Sequence, residues 1–418
     1  MLKRRSDPSR RRNRAGGDVR NGVDDLRGTS QLAIQAIRQV TGVVEDMHRT
    51  ILGGPAVLGS PLAAPARLAT GAAYGYVRGV TGLVGGAIDL TLARLAPLLG
   101  PASPGPEREA FRAALNGIVG DFLAETCNPL AIEMRLRRAG QPLRLTRRGL
   151  RAQLPNPTRK LLILVHGSSL GDLQWNRRGH DHGAALQRDL GFTPVYVNYN
   201  SGLHVSTNGR RLDELLEDLA GAWPIPLTEL VLLGHSMGGL VARSACDFGE
   251  RGGRRWRREL TKLVTLGAPH HGAPLEQVGH WFDLLLPASR YSAPLARLGW
   301  LRSAGVTDLR FGYVLDEHWQ GRDRFGASGD PRGALRLPAG VACYAIAATT
   351  SARGGGRLRG DGLVPVGSAL GRHARAELTL SFPEAHQWIG YRMGHLDLLS
   401  RLQVYAKLRR WLLPPRAP

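Results

Sequence analysis

The sequence predicts an α/β protein built on a mostly parallel, doubly wound sheet, with a helical N-terminal extension. Three observations carry this expectation. Runs such as Leu161-Leu162-Ile163-Leu164-Val165 and Leu230-Val231-Leu232-Leu233 are apolar throughout, the mark of strands buried on both faces. Helical patterns separate them, as over Gly209 to Leu219, where apolar residues recur on one face. Finally, Gly234-His235-Ser236-Met237-Gly238 joins a strand run directly to a helical run. Such a turn is sharp, and larger side chains at its two glycines would collide with their neighbours.

Taken in order, the chain begins with an Arg-rich, turn-rich stretch, residues 1–28, without apolar periodicity. It is expected to be a disordered basic tail. Thr29 or Ser30 then caps a helix whose stripe is Ala33, Ile37, Val40, Val44, Met47 and Ile51. A second helical pattern runs from about Arg67 to Leu99, with glycines at 71, 75 and 79 and again at 82 and 86. Small residues four apart let helices approach closely. Arg78, Asp89 and Arg94 interrupt the run and argue against a buried span, which favours a packed helical cover over membrane-surface docking or helix oligomerisation. Residues 101–106 read as a linker, and a third helix presents Phe111, Leu115, Ile118 and Phe122. Together 29–128 form the extension.

The main domain is expected to span 129–418. Ile132, Met134 and Leu136 alternate with polar residues, and Leu143, Leu145 and Leu150 follow, predicting antiparallel strands at the sheet's start. Further strands are expected at Lys160 to Val165, Thr193 to Tyr199, Leu230 to Leu233, Leu260 to Leu266 and Val341 to Ala347. Between Pro274 and Pro338 the pattern weakens, and Trp281, Phe282, Tyr291, Trp300, Phe311 and Trp319 are scattered among turn formers.

The 418 residues carry a formal net charge of +22. Such a balance can mean a polyanionic partner. Only Lys3, Lys160, Lys262 and Lys407 are lysines, however, and arginine accompanies abundant Ala, Gly and Pro. That composition reflects a GC-rich genome more than selection for polyanions, and no specific nucleic acid partner is expected. Cys127, Cys246 and Cys343 are scattered and odd in number, pointing to buried, reduced thiols. Ser9-Arg10-Arg11-Arg12 hints at a twin-arginine signal, but no apolar core follows, so no signal peptide is expected. No uncharged run reaches membrane-spanning length. The expected location is cytoplasmic, with any membrane association weak, peripheral, on the inner face and through the N-terminal extension.

Chemistry gathers around Ser236. The helix beginning there directs its N-terminus at the serine and favours developing negative charge. Upstream, Lys160 to Val165 ends in His166-Gly167-Ser168; downstream come Leu266-Gly267-Ala268-Pro269-His270-His271-Gly272, Gly360-Asp361-Gly362-Leu363-Val364-Pro365 and Gly394-His395-Leu396-Asp397. These motifs, in this order, resemble the lipase and esterase branch of the α/β-hydrolase family, over roughly Pro129 to Trp411. The resemblance implies an α/β-hydrolase fold in which 274–338 is a lid-like insertion. It implies a Ser-Asp-His triad of Ser236, Asp361 and His395, with backbone oxyanion donors at Ser168 and Met237.

Each assignment has a plainer competitor. Ser236 could merely cap a helix, Asp361-Gly362 could be a turn pair, and His386 lies close to His395 in sequence. Asp330 and Glu384 are the alternative acids. Asp397 resembles a calcium ligand of some bacterial lipases, but one carboxylate makes no site; a capping role is expected, with no metal and no cofactor. His180-Asp181-His182 reads as capping and loop hydrogen bonding, and His270 and His271 as residues shaping the loop beside the pocket. The expected activity is hydrolysis of a small-molecule or lipid carboxylic ester through an acyl-enzyme. An acyltransferase, thioesterase or amidase would use the same triad. A non-enzymatic hydrolase-like module binding a membrane or partner is the other class, and a fluorophosphonate probe separates it. Oligomeric state and natural ester are not encoded in any motif.

Overall fold

The computed structural model describes residues 106–273, 303–322, 329–333, 336–354 and 358–413. The basic tail, the two helices expected within 29–99 and residues 274–302 of the insertion lie outside the described residues. The chain divides into two compact units. One comprises Met1–Gly105 with Glu125–Leu130; the other, Pro106–Ala124 with Ala131–Pro418, carries the sheet.

The sheet has eight strands in the order β2-β1-β4-β3-β5-β6-β7-β8. They are β1 (Arg135–Arg138), β2 (Gln141–Pro142), β3 (Lys160–Val165), β4 (Thr193–Asn198), β5 (Glu229–His235), β6 (Leu260–Leu266), β7 (Ala342–Thr349) and β8 (Gln387–Tyr391). Strands β3 to β8 pair in parallel, and β1 pairs antiparallel with both β2 and β4. In the centre, Leu161 aligns with Leu230 and Val165 with Gly234. Both partners are apolar along nearly their whole length because helices cover both faces, so a charged side chain would find water on neither.

The helices that position the site are α1 (Pro106–Glu125), α2 (Arg147–Gln153), α3 (His182–Leu190), α4 (Val205–Ala222), α5 (Met237–Arg251) and α6 (Leu402–Leu412). Asp181 caps α3, accepting from Ala184 N at 2.9 Å, as expected. Gly191, at φ 71°, ends that helix.

Four details differ from the sequence expectation. Leu150 lies in α2, not in a strand, because the Thr146 side chain caps a helical turn there. Strand β8 was not foreseen: Gln387, Trp388, Ile389 and Tyr391 are only half-buried at the sheet edge and show no apolar run. Cys127 is exposed, whereas Cys246 and Cys343 are buried. Residues 106–124, read as part of the extension, belong to the sheet-bearing unit.

The reason for the last is packing. Asn200 Nδ2 donates to Gly120 O at 2.7 Å, and Ser303 Oγ to Gly117 O at 2.7 Å. A methyl group on Gly117 would lie 2.0 Å from Ser169 Oγ, and one on Gly120 1.8 Å from Asn200 Oδ1. The helix therefore rests with its backbone directly on the loops that follow β3 and β4.

Within the insertion, the described stretch 303–322 is fastened to α4. Asp308 accepts from His204 Nδ1 at 2.9 Å and from Val205 N at 2.7 Å. Trp319 stacks on His204 at 3.7 Å and donates to Ser206 Oγ at 2.9 Å.

Candidate active site

In this strand order the winding reverses about β3: β4 lies on one side of it and β5 on the other. A crevice opens outside the carboxyl ends of strands at such a reversal. Both β3 and β5 end there, at Val165 and His235, and lead into Gly167-Ser168 and Ser236.

Ser236 sits between β5 and α5 at φ 55°, ψ −126°. A non-glycine residue at positive φ is strained, on the order of 1–3 kcal/mol, and persists only where its surroundings hold it. The holding is visible. A methyl group on Gly238 would lie 2.2 Å from Val165 O, and one on Gly234 2.6 Å from Gly238 O, so the crossing of strand and helix admits no side chain. Ser236 N donates to Leu266 O at 2.8 Å. The serine is 1% exposed, and its Oγ has no hydrogen-bond partner among the described residues.

Asp361 and His395, thirty-four residues apart, are brought together. The His395 Nδ1–H donates to Asp361 Oδ2 at 2.7 Å, both side chains being buried. The other carboxylate oxygen, Oδ1, accepts from Leu363 N at 3.0 Å and Val364 N at 2.8 Å. The turn thus supplies two backbone donors to one oxygen and leaves the other for the imidazole. A further bond, His395 N to Asp361 O at 3.0 Å, ties the two loops. Asp397 accepts from Gly394 N at 3.0 Å, closing the start of the short helical turn His395–Leu399 in the helix-capping role expected of it, and pairs with Arg178 at 3.0 Å.

Gly267, following β6, touches both groups. A methyl there would lie 3.2 Å from Asp361 Oδ2 and 3.3 Å from His395 Cε1. Because Leu266 O holds Ser236 N, the serine and the Asp361–His395 pair flank the same loop. His235 links them again: its Nε2–H donates to His395 O at 3.3 Å, and the two rings lie 4.8 Å apart. Gly167, the neighbour of Ser168, packs against the serine turn. A methyl on Gly167 would lie 2.9 Å from Ser236 Cβ, and Met237 opens α5, where first-turn N–H groups lack helical partners.

The loop after β3 is held by His166. Tyr199 N donates to His166 Nε2 at 3.3 Å, so Nδ1 carries the proton and donates to Gly167 O at 2.8 Å. Burial pushes this imidazole down to about 4. His182 is likewise lowered to about 4 by burial and donates from Nε2 to Leu398 O at 2.9 Å. His235 is driven well below its ordinary value by burial and by nearby His395. These are neutral, structural imidazoles.

The alternative acids stand elsewhere. Asp330 is held by Arg332 through bonds of 2.9 Å to each oxygen. Glu384 lies in a short turn before β8, and His386 Nδ1 donates to Cys343 O at 3.1 Å while its ring packs on Tyr344. Sequence reasoning missed His235 and His182 as supports of the His395 segment. Their partners are 160 and 216 residues away, and no local pattern announces such a pairing. Among the described residues, no three His, Cys, Asp or Glu side chains are grouped to hold a metal ion. Among them, too, no helix is long and apolar enough to cross a membrane.

The architecture is the α/β-hydrolase fold. Residues 204–306, which include the strand-turn-helix around Ser236, match the family described as a PGAP1-like alpha/beta domain. Similar solved structures include the mature lipase BlEst2 of Bacillus licheniformis, at 15% identity and TM-score 0.42, covering 68% of this chain and 98% of that one. The esterase Pf2001 of Pyrococcus furiosus gives 13% identity and TM-score 0.36, covering 61% and 80%. YbtT, a type II thioesterase of the yersiniabactin pathway, gives 16% identity and TM-score 0.36, covering 62% and 94%. No curated protein matches the sequence.

Proposed function

We propose that this protein is a serine hydrolase that cleaves carboxylic esters through an acyl-enzyme on Ser236. The observation that carries the reading is the buried 2.7 Å bond from His395 to Asp361, on the far side of the Leu266-Gly267 loop from a serine at positive φ. A strained, unpartnered hydroxyl that shares a loop with an oriented imidazole is costly as mere structure and useful as a nucleophile.

In this reading Ser236 Oγ attacks the acyl carbonyl as His395 Nε2 takes the hydroxyl proton. The bond to Asp361 keeps the other proton on Nδ1, so Nε2 is the acceptor, and the carboxylate stabilises the imidazolium. The oxyanion of the tetrahedral intermediate accepts from the Ser168 and Met237 N–H groups, each worth roughly 3 kcal/mol at the transition state. Collapse expels the alcohol, which receives the proton from His395. Water then repeats the sequence on the acyl-enzyme, releasing the carboxylic acid and restoring Ser236.

The test is labelling with a fluorophosphonate and turnover of p-nitrophenyl esters. Wild-type protein should be labelled at Ser236 and should hydrolyse the ester, while Ser236→Ala should do neither and still unfold cooperatively. Near wild-type turnover by Ser236→Ala would remove the nucleophile assignment.

A further inference from the structure

A second polar centre lies away from Ser236, where α5, the loop after β6 and residues 329–333 meet. Arg243 of α5 is 5% exposed, yet among the described residues its guanidinium pairs with no carboxylate. Its one hydrogen bond is from Nη1 to His270 Nδ1, at 3.1 Å, and its Nε–H has no partner.

The local bonding shows that His270 is a neutral acceptor. The Thr265 hydroxyl has one hydrogen, which it donates to Tyr344 O at 3.2 Å. It can therefore only accept from His270 Nε2, at 3.3 Å, which puts the imidazole proton on Nε2 and a lone pair on Nδ1. Burial and the nearby arginines drive His270 well below its ordinary value. His270 thus receives the arginine's hydrogen bond without offsetting its charge.

The neighbouring carboxylates are engaged by other arginines: Asp247, one turn along α5, acts on Arg243 without bonding to it and pairs with Arg251 at 2.7 Å. Arg332, 8% exposed, uses Nε and Nη2 on Asp330, at 2.9 Å each, and Nη1 on His270 O at 2.8 Å. Arg375 also pairs with Asp330, at 3.3 Å. One carboxylate therefore serves two guanidiniums while Arg243 has none. A buried, uncompensated cation is destabilising, as is stripping one partner from a buried ion pair.

Arg243, Arg332, His270, His271 and His318 line a small cavity together with apolar residues such as Leu378. The space open to the centre of a water-sized sphere is about 10 Å³. That is about the room one water needs. A space of this size suits a single monatomic anion. A water molecule would satisfy the Arg243 Nε–H and leave the charge uncompensated.

We propose that this cavity is a structural halide site, in which one chloride ion accepts from Arg243 Nε and neutralises the arginine pair. Bound there, the ion joins the helix that carries Ser236 to the loop after β6 and to residues 329–333. Its presence is independent of whether Ser236 is a nucleophile.

The experiment is thermal unfolding of the full-length chain at constant ionic strength, with sodium chloride replacing sodium methanesulfonate stepwise. Tm should rise with chloride and saturate, as mass action on the folded state requires, and bromide should substitute. Arg243→Met, which keeps the length and removes the charge, should unfold at one temperature in both salts. Crystals grown in bromide should give an anomalous peak in contact with Arg243 Nε. Equal wild-type Tm in the two salts, a chloride response that survives Arg243→Met, or the absence of the bromide peak would each overturn the proposal. If Arg243→Met does not fold, the wild-type bromide peak decides alone.

Discussion

The two sides of the candidate site are held by different forces. The serine turn is held by the absence of side chains: Gly234 and Gly238 let strand and helix cross in contact. The Asp361–His395 corner is held by hydrogen bonds, with three donors on one carboxylate and Asp397 bracing the loop. A steric device tolerates no addition, because its neighbours are backbone and cannot rotate away. A polar device tolerates changes that keep its donors and acceptors matched, and fails by degrees.

The contrast can be broken most severely at Gly238. Gly238→Val would drive a side chain into Val165 O and His166 O. Overpacking of this kind costs on the order of 3 kcal/mol or more, so the variant should be largely insoluble or unfold at far lower denaturant. A midpoint close to wild type in urea would contradict the steric account.

Asp361→Asn addresses the polar side. It keeps the shape but turns an acceptor into a donor against Nδ1, favouring the wrong tautomer. Under the proposed mechanism the rate should fall by about 10⁴, with little change in Tm. If Asp330→Asn lowers the rate instead, the acid has been misassigned.

Acid should loosen both sides together. His166 and His182 have folded values of about 4, and His235 and His270 lie well below their ordinary value. The unfolded chain binds protons on these imidazoles from about pH 6.5 downward while the folded chain does not. Stability should therefore be full above that pH and fall as pH drops toward 4, with proton uptake on unfolding by these four imidazoles and by His271 and His318, which burial also lowers to about 4. Urea midpoints measured across this range give the slope, and a flat profile would show that these imidazoles are not neutral in the folded state.

The smallest effect is the most discriminating. Ser236→Gly should relieve the positive φ and Ser236→Ala should not. The glycine variant should thus be the more stable by about 1 kcal/mol, after allowing for its greater unfolded-state entropy. Equal stability would mean the turn stores no strain.

Much of this was legible in the sequence. The central strands announced themselves because burial on both faces demands unbroken apolar runs, and the serine turn because a backbone crossing demands glycine at fixed offsets. The Asp361-Gly362-Leu363-Val364 turn was readable for a related reason: the residues that orient its carboxylate are its own neighbours. Strand β8 was hidden because a half-buried edge carries mixed residues. Arg243 and Arg332 were hidden too, since nothing local to either marks it as buried. Helix α1 was assigned to the extension because its apolar stripe reads the same whatever it packs on, and only its contacts with the loops after β3 and β4 reveal its place.

Those contacts give α1 a mechanical character. Where glycine backbone bears on Ser169 and Asn200 with no side chain between, there is no compliant layer to absorb displacement. Ser169 is bonded through its backbone to Ser201 Oγ at 2.9 Å and adjoins Ser168, the proposed oxyanion donor. A displacement of the helix would therefore bear directly on Ser169, the neighbour of that amide. Whatever grips residues 106–124 from outside holds a lever on the geometry of the site, without touching a single residue that does the chemistry.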